Sequence, residues 1–342
     1  MKAVQFFKHG SADVLQYGDA PDPIPAENEI LVRVHATSVN RVDTLIRGGY
    51  PGLVLSLPHI LGGDIAGTVE KAGSGVSDFK PGDRIVSWPL IACNNCEQCA
   101  RGRSYICNNW QFFGMHRNGS YAQLVAIPAQ STIHLPDEVS FEDAAALPTA
   151  GIVPMHGFSD VGNLQPGETF FMWGGSSGLG TIAIQIAKHI GATVIATAGT
   201  TEKMEVVKNM GADFVFNHYG DDVQAEVMKA TDGRGVDLII DFVGPLTFGK
   251  SFAMLKKGGR MMLCGIITGR ETTLPLHLTY LHHKSILGLY LGTKKNLEAL
   301  VDLVAQKKVK PVIYKSFPLA HAADAQLLME SGRHYGKILM MP

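Results

Sequence analysis

Met172-Trp173-Gly174-Gly175-Ser176-Ser177-Gly178-Leu179-Gly180 is the glycine-rich stretch from which the fold of this chain follows. The apolar run before it, Thr169 to Trp173, predicts a buried strand, and the apolar spacing of Thr181 to Lys188 predicts a packed helix. Strand, glycine turn and helix form the context in which such a pattern binds a dinucleotide, because backbone N–H groups at a helix N-terminus can approach a pyrophosphate. The three glycine positions of the G-x-G-x-x-G pattern hold Gly175, Ser177 and Gly180.

From about residue 150 onward, short apolar runs alternate with helical patterns. This alternation predicts an α/β fold with a doubly wound parallel sheet of the Rossmann kind. It also favours the interpretation that the glycine turn binds a dinucleotide over the interpretation that the turn is purely structural. The predicted strands are Thr169–Trp173, Thr193–Ala198, Phe214–Asn217, Val236–Phe242, Arg260–Gly265 and Ser285–Leu291, and the predicted helices are Leu179–Ile190, Glu202–Met210, Val223–Ala230 and Leu246–Leu255.

The first 149 residues instead show short strands separated by Gly and Pro turns, which predicts a small β-rich domain. Strands are predicted at Lys2–Phe7, Val14–Tyr17 and Glu29–Ala36, with a short helix at Val42–Arg47. The tail carries two helical patterns and a strand, and we expect it to rejoin the first domain. The predicted boundaries are therefore 1–149 for the first domain, 150–289 for the nucleotide-binding domain and 290–342 for the returning segment.

Composition excludes several classes of protein. The net charge of −1 gives no basis for a nucleic-acid partner, and no apolar run approaches the ~20 residues of a membrane span. The N-terminus carries Lys2 too early for a secretory signal, so we expect a cytoplasmic protein that acts on a small molecule.

Four of the five cysteines crowd into one short segment, with the spacing Cys93-x2-Cys96-x2-Cys99-x7-Cys107. Four thiolates can close a tetrahedral zinc site that leaves no position open for a substrate, so such a site is structural. A pair of disulfides and an iron–sulfur cluster are the rival interpretations, and a chain without a secretory signal favours zinc over disulfides. Cys264 stands apart and is expected to be a buried apolar residue.

The cysteine spacing, the glycine turn and the returning tail together resemble the medium-chain dehydrogenase/reductase superfamily, which contains the zinc alcohol dehydrogenases and the quinone reductases. The resemblance covers essentially the whole chain. It implies a GroES-like catalytic domain joined to a Rossmann domain, an active site in the cleft between the domains, one structural zinc per chain at the four cysteines, and a homodimer or homotetramer.

The chain departs from the alcohol dehydrogenase branch where that branch binds its catalytic zinc. The matching positions hold Asn40, Gly63 (followed by Asp64) and Thr149, none of which supplies a thiolate or an imidazole. A catalytic zinc site could then be built only by recruiting Asp64 together with His59 or His35. The segments 39–47 and 62–64 instead resemble the quinone reductase branch, which lacks catalytic zinc.

Without catalytic zinc, hydride delivery to an activated alkene becomes the favoured reaction, because a conjugated carbonyl spreads the charge and ordinary hydrogen-bond donors can hold the enolate. We expect an NADPH-dependent reductase of enones, enals or quinones. The alternatives are an alcohol dehydrogenase or aldehyde reductase, and a cofactor-binding protein with little turnover. The candidate catalytic residues are Asn40, Tyr50 and Thr149. Each could instead have a purely structural role: Asn40 as a turn residue, Tyr50 as a loop aromatic and Thr149 as a packing residue.

The cofactor preference is predicted from the end of the second strand. NAD sites place an acid there for the ribose hydroxyl, whereas this chain continues from Gly199 into Thr200, Thr201 and Lys203, which can bind a 2′-phosphate. NADP is therefore favoured over NAD, although Thr201 could simply cap a helix and Lys203 could be solvated. The full predicted cofactor set is Gly175, Ser176, Ser177, Gly178, Leu179, Gly180, Thr200, Thr201, Lys203, Tyr219, Val243, Gly265 and Ile266.

Overall fold

The computed structural model describes all residues from Met1 to Pro342. In chain order its strands are β1 Lys2–Phe6, β2 Gln16–Asp19, β3 Glu29–Val39, β4 His59–Ile60, β5 Ala66–Ala72, β6 Arg84–Ser87, β7 Leu90–Ile91, β8 Gln111–Phe112, β9 Leu124–Pro128, β10 Thr132–His134, β11 Thr169–Met172, β12 Thr193–Ala198, β13 Phe214–Asn217, β14 Val236–Asp241, β15 Leu255–Leu263, β16 Ser285–Gly288, β17 Ile313–Pro318 and β18 Lys337–Met341. Its helices are α1 Arg41–Gly49, α2 Glu97–Ala100, α3 Phe141–Ala145, α4 Pro148–His156, α5 Gly178–Ile190, α6 Thr201–Asn209, α7 Val223–Ala230, α8 Pro245–Met254, α9 Leu276–Leu281, α10 Lys294–Ala305 and α11 Ala322–Ser331.

The chain folds into two compact units. The first contains residues Met1–Ile152, Thr293–Lys307 and Pro311–Pro342, and the second contains Val153–Gly292 with Lys308–Lys310. The predicted fold class, a Rossmann sheet plus a β-rich GroES-like domain, is confirmed. None of the helices has the length and apolarity that a membrane crossing requires.

The first unit is built on the long strand β3. Its alternating side chains pack into an apolar core that includes Ile30, Val32 and Val34, as expected of a strand that buries one face. The main sheet runs in the order β10-β6-β5-β3-β18-β17, and β9 also pairs with β3. Strand β18 lies antiparallel to β3, with Ile338 opposite Val39. The end of the chain thus lies beside the end of β3, where helix α1 begins.

The second unit holds a six-stranded parallel sheet in the order β13-β12-β11-β14-β15-β16. Its central strands are apolar and fully buried, as are Phe170, Phe171 and Ile239, because helices cover both faces of a parallel sheet. The strand order reverses beside β11, and ligands of open α/β sheets bind at such a point, beyond the carboxyl ends of the strands.

Three local predictions differ from the structure. The strand predicted at Val14–Tyr17 is a 3-10 turn at Ala12–Val14 followed by β2. Strand β15 begins at Leu255 rather than Arg260, because the backbone pairs with β14 across a register shift and carries Lys256 and Lys257 into the sheet. The segment around His277, which the sequence indicates as a solvated loop, contains helix α9.

Candidate functional site

The four clustered cysteines converge on one point in the first unit. Their Sγ atoms all lie within 4.8 Å of one another, and the distances are 3.5 Å for Cys96–Cys99, 3.9 Å for Cys96–Cys107 and 3.3 Å for Cys93–Cys107. A tetrahedral zinc with Zn–S bonds of about 2.3 Å requires sulfurs about 3.8 Å apart. The cluster therefore fits one zinc ion. The distances of 3.3 and 3.5 Å are longer than the about 2.05 Å of a disulfide bond, so this geometry fits a metal site better than the disulfide interpretation.

The surroundings of these thiols also suit a metal. Backbone N–H groups of Cys93 and Asn109 donate to Cys107 Sγ at 3.3 and 3.4 Å, which orients the sulfur. Backbone donors lower the pKa of Cys96 to about 6, whereas burial raises the pKa of Cys99 to about 12. Convergence on a single point suits one ion better than a cluster, whose cysteines bind separate irons.

The glycine turn of the second unit joins β11 to α5. A Cβ on Gly180 would lie 2.5 Å from the carbonyl oxygen of Gly175, so no other residue fits there, and Gly174 has φ +60°. Ser177, at the middle position of the pattern, caps α5 by accepting a hydrogen bond from the Gly180 N–H at 3.0 Å. Of the first four N–H groups of α5, those of Gly180 and Thr181 bond to Ser177, whereas those of Gly178 and Leu179 have no partner within the helix, so the turn fits a pyrophosphate.

The end of β12 is the predicted site of the 2′-phosphate. Thr200, rather than Thr201, caps helix α6, and its Oγ1 accepts from the Lys203 N–H at 3.3 Å. Lys203 lies in the first turn of α6, and burial lowers its pKa. The 83%-exposed ring of Tyr219 lies on Gly199, where a Cβ would meet it at 2.5 Å. The chain thus places a cation, hydroxyls and an open aromatic face at this strand end.

Later strand ends of the same sheet carry the other predicted cofactor residues. Val243 follows β14 and Ile266 follows β15, where Ile266 is 48% exposed. Gly265 packs so tightly that a Cβ would lie 2.4 Å from the Phe242 carbonyl oxygen. Asp241 was not among the predicted cofactor residues, and its buried carboxylate shapes this edge by accepting from the N–H groups of Val243 and Gly244, both at 3.0 Å.

A second polar cluster lies in the first unit around Asp64, which is fully buried. Asp64 Oδ1 accepts two hydrogen bonds from Thr149, from the backbone N–H at 2.9 Å and from the hydroxyl at 2.6 Å. Asp64 Oδ2 accepts from Ser38 Oγ, from Asn40 Nδ2 at 2.8 Å and from Lys337 Nζ at 3.4 Å. Five donors therefore surround one carboxylate, which satisfies its charge inside the protein.

Lys337 supplies the positive charge of this cluster. It is 3% exposed, and its Nζ donates to Asn40 Oδ1 at 2.6 Å as well as to Asp64. Burial lowers the pKa of Lys337, and the charges of Asp64 and Asp43 oppose that shift. Lys337 was not among the residues predicted from the sequence. A lysine opening the apolar run 338–341 is a weak signal for a buried cation, because nothing local shows that β18 lies beside β3.

The predicted catalytic residues occupy different environments. Asn40 is 7% exposed and belongs to the Asp64 cluster, and Thr149 belongs to the same cluster through its two bonds to Asp64. Tyr50 directly follows helix α1, as its C-cap, and is half-buried. Asp43, in the first turn of α1, accepts from the Asn40 N–H at 2.8 Å and links the cluster to Tyr121.

The two imidazoles considered as zinc ligands beside Asp64 are engaged elsewhere. His59 Nε2 lies 3.1 Å from the Gly114 carbonyl oxygen, and His35 Nε2 lies 3.1 Å from Thr68 Oγ1. The cysteine cluster is the one place where three or more potential metal ligands converge. The side chains around Asp64 therefore do not supply the ligands that a catalytic zinc ion requires.

Two families of known proteins match this chain, one in its first part and one in its second. Residues 26–137 match the family described as the alcohol dehydrogenase GroES-like domain, and residues 178–306 match the zinc-binding dehydrogenase family. The chain is 32% identical to a quinone oxidoreductase of Sus scrofa, with 100% of this chain and 98% of the relative covered. It is 30% identical to an acryloyl-coenzyme A reductase of Sulfurisphaera tokodaii, with 95% of each covered.

Among solved structures, the chain is similar to a crystal structure of an NAD-dependent alcohol dehydrogenase. The identity is 36%, the TM-score is 0.96, and both chains are covered completely. The chain is thus similar to proteins named as an alcohol dehydrogenase, a quinone oxidoreductase and an acryloyl-coenzyme A reductase.

Proposed function

Because this chain belongs to the medium-chain dehydrogenase/reductase superfamily of oxidoreductases, we propose that it is an NADPH-dependent reductase of activated carbon–carbon double bonds. The substrate class is an enone, an enal or a quinone. Four free, clustered thiols fit a reducing compartment, and we place the enzyme in the cytoplasm.

One observation supports this reaction above all. The positions at which the alcohol dehydrogenase branch holds its catalytic zinc carry Asn40, Gly63 and Thr149, and the neighbouring carboxylate of Asp64 is already satisfied by five donors. A simple carbonyl reduced to an alkoxide needs strong local stabilisation of charge. A conjugated substrate delocalises that charge, so neutral donors suffice.

Bound NADPH supplies the hydride. The protein must then hold the substrate oxygen as it gains negative charge, and we assign that role to the amide of Asn40. Nδ2 of Asn40 donates one hydrogen to Asp64, which leaves its second hydrogen for a substrate oxygen. Tyr50 and Thr149 are assigned as further contacts of the substrate, Tyr50 through its phenol and Thr149 through its methyl group.

The preference for NADPH rests on the end of β12. Lys203 would offer a cation to a 2′-phosphate, and the hydroxyls of Thr200 and Thr201 would offer hydrogen-bond donors, whereas an NAD site would offer a carboxylate there. The similarity to an NAD-dependent alcohol dehydrogenase favours NADH instead, so both cofactors belong in the test.

The assay measures oxidation of NADPH and of NADH with 2-cyclohexen-1-one, a benzoquinone and butanal, and measures reduction of NADP+ by butanol. We expect turnover with the enone or the quinone, little with butanal, and one zinc per chain. Asn40→Leu should lower kcat by about 100-fold, the value typical of one oxyanion donor. Asn209→Leu, an exposed position on α6, is the matched control.

A second function is favoured by the 36% identity to an alcohol dehydrogenase. Efficient oxidation of butanol together with two zinc ions per chain would establish that function and contradict the first. Tight NADPH binding without turnover of any probe would instead indicate a cofactor-binding protein.

We also propose that the protein is a homodimer or a homotetramer. Strand β16 is an open edge of the parallel sheet, and helix α9, which precedes it in the chain, carries the exposed apolar side chains of Leu276, Tyr280 and Leu281, at 69%, 72% and 62% exposure. Open edges and exposed apolar patches mark association surfaces. Sedimentation velocity should give a dimer or larger, and Tyr280→Lys should shift the protein toward the monomer.

A further inference from the structure

Lys337 is an unusual residue because its ammonium group is almost entirely buried in the first unit. Lysines are rarely buried without a partner, since a charge loses its hydration there. Strand β18 places Lys337 one position before Ile338, which pairs with Val39 of β3. This pairing brings the side chain to Asn40, the first residue after β3, across a sequence separation of 297 residues.

The three side chains of Lys337, Asn40 and Asp64 form a closed triangle. Lys337 Nζ donates to Asn40 Oδ1 at 2.6 Å and to Asp64 Oδ2 at 3.4 Å, and Asn40 Nδ2 donates to the same Asp64 Oδ2 at 2.8 Å. The cation can contact only the oxygen end of the amide and the carboxylate only the nitrogen end. The orientation of the Asn40 amide is thus set, with its second N–H hydrogen directed away from both partners.

A cation on the oxygen of an amide draws electron density from its nitrogen. The remaining N–H of Asn40 therefore becomes a stronger donor than an ordinary amide N–H, since hydrogen bonds in a chain polarise one another in a low-dielectric interior. Asn40, Thr149 and the residue before Asp64 match the positions where the alcohol dehydrogenase branch holds a catalytic metal. The protonated ammonium group of Lys337 would thus supply a positive charge among these positions, carried by a side chain.

We propose that Lys337 is a positioning residue that orients and polarises the Asn40 amide, so that the pair stabilises negative charge on the substrate oxygen. This inference rests on the proposed function, in which Asn40 contacts that oxygen. Lys337 acts through Asn40 and does not touch the substrate itself. Asp64 holds the amide nitrogen from the other side and balances the lysine charge.

The test compares three substitutions that remove different properties of Lys337. Lys337→Arg keeps the charge and the donors, Lys337→Gln keeps a donor without charge, and Lys337→Met keeps neither. The matched control is Lys315→Met, an exposed lysine on the adjacent strand β17. Each purified protein is assayed for kcat and for KM of NADPH with 2-cyclohexen-1-one, and its melting temperature is recorded.

We expect kcat to fall in the order wild type, Arg, Gln, Met, with a loss of roughly tenfold for Gln and about 100-fold for Met. KM for NADPH should stay within about twofold, because Lys337 lies in the first unit and the nucleotide residues lie in the second. Lys315→Met should match the wild type.

The decisive measurement is the double variant. If Lys337 acts through the amide, Lys337→Gln should have little further effect on kcat in an Asn40→Leu background. Additive losses, or a kcat that follows the melting temperature rather than the charge, would overturn the inference. Should Lys337→Met fail to fold, the Gln and Arg variants still decide between these outcomes.

Failure of the proposed function is seen separately, in the wild type. An enzyme that oxidises butanol but leaves the enone unreacted contradicts the proposed reaction, and the same lysine series is then run on the alcohol with the same expected order. A wild type without turnover of any probe contradicts the inference as well.

Discussion

Asp43 Oδ2 lies 3.1 Å from the phenol oxygen of Tyr121, and both side chains are completely buried. Asp43 Oδ2 also accepts from the Asn40 N–H, whereas Oδ1 has no partner. Burial raises the pKa of Asp43 to about 7, the charge of Asp64 adds to that shift, and the hydrogen bonds from Asn40 and Tyr121 oppose it. An acid beside the Asp64 cluster therefore titrates near neutral pH.

This shift predicts a pH dependence of stability. The folded-state pKa lies above the unfolded value of 3.8, so the folded protein holds a proton that the unfolded chain releases. The contribution of Asp43 to the free energy of unfolding is complete below about pH 4. It is lost as pH rises toward about 7, which lowers the free energy of unfolding by about 3–4 kcal/mol. Asp43→Asn is neutral at every pH and keeps an acceptor for Asn40 and Tyr121, so its stability relative to the wild type should rise between pH 5 and pH 8.

Denaturant titrations of both proteins at intervals across that range would measure the difference. The exposed substitution Asp232→Asn provides a reference whose offset from the wild type should not change with pH. A constant offset for Asp43→Asn would show that Asp43 ionises normally in the folded protein.

Removal of one ligand from the cysteine cluster should release zinc. Cys96→Ser leaves three thiols, and because metal binding at such a site contributes directly to folding, the melting temperature should fall by at least about 5 °C. Zinc per chain, measured by atomic emission, should drop from one to near zero. Cys264→Ser is the control, since Cys264 lies outside the cluster, and its zinc content should equal that of the wild type. A stoichiometric ion in purified Cys96→Ser would argue against this site.

Lys203 should determine how strongly NADPH is preferred. In the proposed function, Lys203→Met removes one charged contact to a 2′-phosphate, so KM for NADPH should rise about tenfold or more while KM for NADH changes less than about twofold. Lys208→Met, an exposed lysine on the same helix α6, should leave both constants unchanged. Equal effects on the two cofactors would show that Lys203 does not read the phosphate.

The buried guanidinium of Arg47 should be important for stability. Arg47 on α1 is 3% exposed; it donates to Gln326 Oε1 at 2.5 Å, to the Gly10 carbonyl oxygen at 3.1 Å and to the Glu330 carboxylate. Arg47→Met leaves these acceptors unpaired and should lower the free energy of unfolding by roughly 3 kcal/mol.

The exposed residue Arg41, at the start of the same helix, provides the comparison. Arg41→Met should change the free energy of unfolding by less than about 0.5 kcal/mol. If the two substitutions have equal effects in denaturant titrations, the buried contacts of Arg47 are not stabilising.

Several features depend on neighbouring residues alone and could be predicted without coordinates. The strand before Gly174, the helix after Ser177 and the close packing at Gly180 follow from apolar spacing and from the small size of glycine. The four-cysteine lobe is equally local, because its ligands lie within 15 residues and metal chemistry limits what they can form. The boundaries of β12, β13 and α7 match the predicted ones for the same reason.

The cluster around Asp64 could not be found in this way. Asn40, Asp64 and Thr149 were candidates one by one, but the residue that joins them, Lys337, comes from the last strand of the chain. Strand register sets which side chains meet, and register depends on packing across the whole sheet. Local sequence therefore specified the glycine turn and the four-cysteine lobe, whereas only the folded first unit brought a buried lysine amine against the Asn40 amide, because long-range strand pairing carries no signature in the residues on either side.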